Sequence, residues 1–469
     1  MINTEIKSNK NPLHTIPVLE DGDLILYDSH AIMAYLADTY GKDESWYPKD
    51  VKKRALVNQK LFFNTAVIFR RLRIVSYYVV QKGRKKLEQD WLDDIAEAYS
   101  FLEAFLSKTK YIAADHITIA DIAILSFLTT FEYIVPVDTK KCVEGTECVN
   151  FIFVNFFLFL FFKKSECNKI PVYHYIFNRA LDRTASILNE VWTEIVEKSP
   201  RRPQAAPRGV EALFLNAART GDAPLRHDTS RYDARHLEAQ CCVVQRNLNS
   251  HNMGVKLYVM DYSPPSRACM MACEIFGVPF EKIPVNLFKG DHLTPEYLEK
   301  NPLHTIPVLE DGDFILYDSH AIMAYLADTY GKDESWYPKD VKKRALVNQK
   351  LFFNTAVIYR RLRNITYYVF QQGKKTLEQD WLDDIAEGYS FLEAFLSKTK
   401  YIAGDNITIA DIAILSHLAS LEYILPIDAK KYPKTSAWLE DFKATPYAKK
   451  HNEEGAKALY DNLKKHLTS

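Results

Sequence analysis

The sequence predicts an α/β domain followed by an all-α domain, with a partial copy of the same unit upstream. Three observations carry this. A segment at 11–141 recurs at 301–431 with nineteen differences over 131 positions, at a constant offset of 290. Ahead of the second segment, and only there, stands a strand-helix-strand pattern at 255–288. From Tyr337 onward the apolar residues recur at helical spacing. A repeat of this length is a duplicated domain pair and not the short period of a solenoid.

Each element of the complete copy has a local reason. Residues 255–260 (VKLYVM) alternate and are rich in β-formers, which predicts a strand. Residues 264–277 (PPSRACMMACEIFG) predict a helix, with prolines at its start and Gly277 at its end. A second strand follows at 281–288 (EKIPVNLF). Residues 294–301 predict a short helix with Thr294 as cap and Pro295 at its first position. IPVLED and DFILYD around the EDGD turn predict a hairpin. Residues 319–331 predict a helix capped by Asp318 or Ser319 and stopped by Gly331. The order is β-α-β-α-β-β-α. Three longer helical stretches follow, at 341–373, 376–399 and 407–425, the last with Thr408 and Asp411 at capping-box spacing.

The first copy lacks the strand-helix-strand portion and breaks off at Cys142, so apolar faces of its α/β remnant are left without their cover. It is expected to be inactive, and unfolded unless it docks on the complete copy. Residues 142–253 differ in character from both copies: arginine outnumbers lysine ten to four, and only 172–198 has a helical pattern. This stretch reads as an atypical linker, either disordered or the product of two adjacent genes joined in prediction. Its apolar run at 151–162 is too short for a comfortable membrane span and contains Asn155.

Composition narrows the class. Hydrophobic residues make up 47% and charged residues 26%, and Lys+Arg equals Asp+Glu at 60 each. These values fit a soluble globular protein and give no support to a nucleic-acid or membrane partner. The opening residues have no apolar core, so no secretory signal is expected. The seven cysteines show neither zinc-type spacing nor a disulfide framework, so no metal is expected and a reducing cytoplasm is the default.

The order of HTIPVLED, then DSHAI, with SPPSRAC before them and TIADI after, resembles the cytosolic glutathione transferase family. The nearest likeness is to the insect delta and epsilon classes, especially epsilon. The resemblance covers about 254–465 fully and 11–141 partially. It implies a thioredoxin-like α/β domain and a helical C-terminal domain. The chain then divides into a truncated thioredoxin-like domain (1–44), a partial helical domain (45–141), the linker (142–253), a thioredoxin-like glutathione-binding domain (254–334) and an all-helical domain (335–469).

Ser263 follows the first strand and precedes a helix whose amino end is positive. A hydroxyl there can cap the helix or donate to a thiolate, and donors and helix amino ends lower thiol pKa values. The resemblance implies the second role, with Ser263 keeping the glutathione sulfur ionised for attack on an electrophile. Ser266 would fall inside the helix, and Arg267 would support the loop.

By the same resemblance, Ile306 precedes a cis proline and presents its backbone to the glutathione peptide, while His292 and His304 approach the glycine carboxylate. Without the resemblance, either histidine reads as a surface or packing residue. At the start of the next helix, Ser319 would hold the γ-glutamyl carboxylate, and Asp318 would pair with its ammonium. His320 stands where the family more often has arginine. Plain helix capping explains Asp318 and Ser319 as well. For the electrophile, Phe353, Tyr359, Arg363, Tyr367 and Phe370 offer an aromatic pocket, though each aromatic taken singly reads more naturally as core.

The resemblance implies conjugation of glutathione to small hydrophobic electrophiles in detoxification. Glutathione is a co-substrate and no cofactor is held permanently. The alternative is a non-catalytic glutathione-fold binding or structural protein. A homodimer through the complete copy is the leading assembly, and a pseudo-dimer within one chain is the other.

Overall fold

The computed structural model describes residues 10–81, 87–134 and 254–468. The linker 142–253, with its apolar run, its helical pattern and five of the seven cysteines, lies outside the described residues.

The first copy opens with a hairpin, β1 (Val18–Asp21) and β2 (Leu24–Tyr27), and helix α1 (Ser29–Tyr40). Its helical part is α2 (Val51–Phe63), a π-turn (Asn64–Phe69), α3 (Arg70–Ser76), α4 (Gln89–Leu106) and α5 (Ile119–Ile134).

The second copy begins with β3 (Val255–Val259), α6 (Pro264–Phe276), β4 (Phe280–Pro284) and the short α7 (Pro295–Lys300). It continues through β5 (Val308–Asp311), β6 (Phe314–Tyr317) and α8 (Ser319–Tyr330). Its sheet has the order β4-β3-β5-β6, with β3 parallel to β4 and antiparallel to β5. The β-α-β-α-β-β-α expectation is the order found. Helix α6 ends on Gly277 at φ 65, a left-handed cap that a residue without Cβ adopts freely. Of the two candidate caps for α8, Asp318 does the work: its Oδ1 accepts from the His320 and Ala321 amides.

The predicted helical stretch 341–373 is α9 (Val341–Phe353), a π-turn (Asn354–Tyr359) and α10 (Arg360–Phe370). Next come α11 (Gln379–Leu396) and α12 (Ile409–Ile424), whose Thr408/Asp411 capping box is formed. Burial pushes the Asp411 carboxyl up to about 6. Three further helices, α13 (Pro433–Lys443), α14 (Pro446–His451) and α15 (Glu453–His466), close the copy. Trp438 on α13 donates its indole N–H to Asp411, tying the end of the chain to the core of the helical domain.

The first copy is docked on the second by near-twofold contacts. Helix α2 packs on α8, and α9 packs on α1. Gln59 Nε2 donates to the Tyr317 carbonyl at 2.9 Å, and Gln349 Nε2 to the Tyr27 carbonyl at 2.9 Å. Lys60 and Lys350 reach the Tyr317 and Tyr27 hydroxyls at 2.8 and 2.6 Å. Phe62 and Phe352 stack at the centre, 4.4 Å apart, with His320 on one and His30 on the other. The apolar hairpin residues Leu24 and Leu26 are buried in a cluster with Ala345 of the second copy. The side that β3 and α6 cover in the second copy stays more open in the first. Val18, Leu19, Met33 and Leu36 are half-buried where Val308, Leu309, Met323 and Leu326 are buried, and Ile16 is 79% exposed while its equivalent Ile306 is 9% exposed. The expectation that the complete copy pairs with another chain meets a face already covered from within its own chain.

Candidate active site

Ser263 stands at the junction of β3 and α6. It is the N-cap of α6, its Oγ accepting from the Ser266 amide at 3.4 Å, which is a long bond. The segment before it is held by Arg267, a fully buried residue whose guanidinium donates to the carbonyls of Asp261 and Tyr262. The same guanidinium reaches Asn452 Oδ1, the Ser416 carbonyl and the Ser420 hydroxyl. Burial lowers this guanidinium to about 9, with Asp261 opposing the fall. The anchor ties the Ser263 loop to α12 and the end of the chain, a longer reach than the loop support read from the sequence.

The loop at 301–306 is braced in the same way. Buried Asn301 donates to the carbonyl and hydroxyl of Thr305 and accepts from the Leu303 amide. Tyr297 donates its hydroxyl to the Thr305 carbonyl at 2.7 Å. These bonds hold His304 at φ 45, two residues before Ile306 of the cis Ile306–Pro307 peptide. The His292 ring lies 6.1 Å from that of His304. Burial and the neighbouring His304 hold the His292 imidazole below its usual pKa.

A cavity of ≈ 300 Å³ gathers most of the expected residues. His304, Ile306, Asp318, Ser319 and His320 line it from the α/β domain, and Tyr359, Arg363 and Tyr367 from the helical domain. Pro265, beside the cap serine, also faces it, and Leu303 contributes to the wall. Ser263, His292, Phe353 and Phe370 are not among its lining residues. Phe353 is buried against Phe391 and Phe395, so this candidate pocket residue belongs to the core. Phe370 sits between Phe288 and His466, closing the helix end instead of the cavity. His320 lines the cavity, but its ring is committed elsewhere. Its Nε2 lies 2.9 Å from Asn354 Nδ2, and its face rests on Phe62. Arg363 lies 5.1 Å from the Tyr367 ring centroid, a cation–π distance, and Tyr359 meets His417 edge-on.

The first copy contributes wall that sequence reasoning did not assign. Gln59, Arg70, Arg71, Asp94, Glu97 and Phe101 line the same cavity. No sequence signal marks them as site residues, because their counterparts at 349–391 read identically. Among the described residues no group of histidine, cysteine or acidic side chains could hold a metal ion. Among the same residues no helix is long and apolar enough to cross a membrane.

The comparisons with known proteins agree on one family. The profile described as the glutathione S-transferase N-terminal domain matches residues 4–44 and 257–334. The corresponding C-terminal domain profile matches 65–144 and 336–446. Glutathione S-transferase 1 of Manduca sexta is 42% identical over 205 residues, 43% of this chain and 94% of that protein. Glutathione S-transferase D6 of Drosophila melanogaster is 38% identical over 191 residues, 40% of this chain and 88% of that protein. A solved epsilon-class glutathione S-transferase from the housefly, Musca domestica, is 46% identical. It covers 46% of this chain and 100% of its own, with a TM-score of 0.45. The chain belongs to the glutathione S-transferase family, whose two domain types it carries twice, and its enzyme class is glutathione transferase.

Proposed function

We propose that the second copy is the catalytic unit and that it conjugates glutathione to hydrophobic electrophiles, as in detoxification. The observation that carries this reading is the single cavity lined by His304, Ile306, Asp318 and Ser319 on one side and by Tyr359, Arg363 and Tyr367 on the other. The first group suits a small charged peptide. A backbone amide and carbonyl precede the proline, and a carboxylate and helix-start amides face the γ-glutamyl end. Histidines attend the glycine end. The second group suits an apolar, aromatic partner.

In this reading the Ser263 hydroxyl donates to the glutathione sulfur at the amino end of α6, and the thiol proton leaves to solvent. The thiolate then bonds to the electrophilic carbon, and the leaving group departs with its electron pair. Ser263 holds charge and is not itself modified. Arg267 acts through the loop it anchors. Glutathione is consumed as co-substrate and no permanent cofactor enters.

The first copy takes the place of a partner subunit. Its α2 packs on α8 and its α1 on α9, the face that a second chain would use. The working unit is therefore one chain with its site on the second copy, in a cytosolic setting.

The test is turnover of a generic aryl halide with glutathione by the full chain, followed spectroscopically, beside a direct glutathione-binding measurement. Conjugation is expected. Retained glutathione binding without turnover of any electrophile would favour the non-catalytic binding reading instead.

A further inference from the structure

We propose that Glu97 of the first copy is a positioning residue for the glutathione site of the second, holding the His304 imidazole in place. This rests on the reading of the cavity as a glutathione site. Glu97 lies on α4, and its two carboxylate oxygens face opposite ways. Oε2 is bonded by the Arg71 guanidinium. Arg71 is itself buried and pinned by the Asp94 and Val67 carbonyls. Oε1 lies 3.6 Å from His304 Nε2, across the junction between the copies. Phe101, one turn further along α4, places its ring 5.6 Å from the same imidazole. The imidazole is thus approached by a carboxylate at one nitrogen and by an aromatic ring, both from the first copy.

A carboxylate on one ring nitrogen sets the ring's orientation and where its hydrogen resides, leaving the other nitrogen for a ligand. The Glu97 carboxyl is held below its usual pKa chiefly by the neighbouring His304, despite its partial burial, so it is ionised in the working range. The arrangement is not a by-product of the near-twofold packing. The equivalent Glu387 binds Arg361 in the same way, but among the described residues it makes no ion pair with His14, which is exposed. The contact is formed only where the cavity is complete.

The role separates from that of Ser263 in kinetics. Glu97→Ala in the full chain is expected to raise KM for glutathione about three- to tenfold. The kcat and the KM for the aryl halide should stay unchanged. Glu97→Gln, which keeps an acceptor oxygen for the imidazole N–H, should fall between wild type and Glu97→Ala. His304→Ala and Ser263→Ala serve as references, the first expected to raise KM for glutathione and the second to lower kcat. If His304→Ala raises KM while Glu97→Ala does not, the positioning role is overturned and the glutathione site stands. If neither variant alters KM, His304 is no glutathione ligand and both readings of it fall. A loss of folded enzyme in both Glu97 variants, with KM unchanged in what remains, also overturns the proposal, because Glu97 is then only a structural link between the copies.

Discussion

Replacing Ser263 by alanine separates its two physical roles. As a helix cap, its bond to the Ser266 amide is long at 3.4 Å. The stability lost should therefore sit at the low end of the roughly 0.5–2 kcal/mol usual for caps. As a donor to a bound thiolate, the hydroxyl makes a bond to a charged group, worth about 1.5–3 kcal/mol. One pKa unit corresponds to about 1.4 kcal/mol, so the bound thiol of Ser263→Ala should titrate about one to two units higher. Near neutral pH the rate should fall about 10- to 100-fold, and the deficit should shrink as pH rises and the thiol ionises unaided. The assay is the pH dependence of kcat/KM for aryl halide conjugation, joined to ultraviolet titration of the bound thiolate. Ser266→Ala is the control: that side chain is buried within α6, its Oγ accepting from the Met260 amide at 3.4 Å, and the variant should leave the thiol pKa where it was. An unchanged thiol pKa in Ser263→Ala, whatever the rate, would refute the account of this residue.

Three other perturbations have outcomes set by the packing. Lys350 is buried, donates to the Tyr27 hydroxyl at 2.6 Å, and is pushed down to about 7 by burial. The unfolded lysine titrates near ~10.4 and binds a proton that the folded one does not. Stability should therefore rise with pH between about 7 and 10, by up to about 1.4 kcal/mol per unit, and be flat in this contribution below 7. Lys350→Met should remove that part of the slope in urea unfolding followed across this range, and an unaltered slope would contradict the burial of a neutral amine. A Cβ on Gly455 would lie 2.3 Å from the Asp261 carbonyl oxygen and 2.7 Å from Arg267 Cδ. Gly455→Ala should cost about 1–3 kcal/mol and lower activity by displacing the Ser263 loop, so a wild-type melting point and rate would count against that close approach. Phe62→Ala empties the stack on Phe352 and His320. Large-to-small changes of this kind cost about 3–5 kcal/mol, and faster hydrogen exchange in α1, α2 and α8 should report loosened docking, whereas unchanged exchange would argue against it.

Much of the second copy was legible because local signals coincided with tertiary ones. The alternation at 255–260, Gly277 after α6 and the Thr408/Asp411 box each mark an element whose ends the structure places there. His304, Ile306, Asp318 and Ser319 could be named together because their order along the chain resembles a family, not because any one of them announces a role. The helical side was less legible for a geometric reason. Phe353 stands six residues before Tyr359, about 120° round the helix, and faces the core, while Tyr359, Arg363 and Tyr367 face the cavity. Arg267 could be read as a loop support, but its bonds to Ser416, Ser420 and Asn452 span contacts remote in sequence that no local pattern encodes. The part played by the first copy was hidden most thoroughly. Glu97 and Glu387 sit in matching sequence, and only the asymmetric survival of the α/β domain decides which of them meets a histidine at a complete cavity.

The central claim is one complete glutathione site per chain, with the first copy serving as the docked partner. Calorimetric titration of the full chain with glutathione, paired with light scattering on the same sample, tests it most directly. One glutathione bound per chain, on a particle of single-chain mass, is the predicted result. Two sites per chain, or a stable particle of two chains, would contradict it.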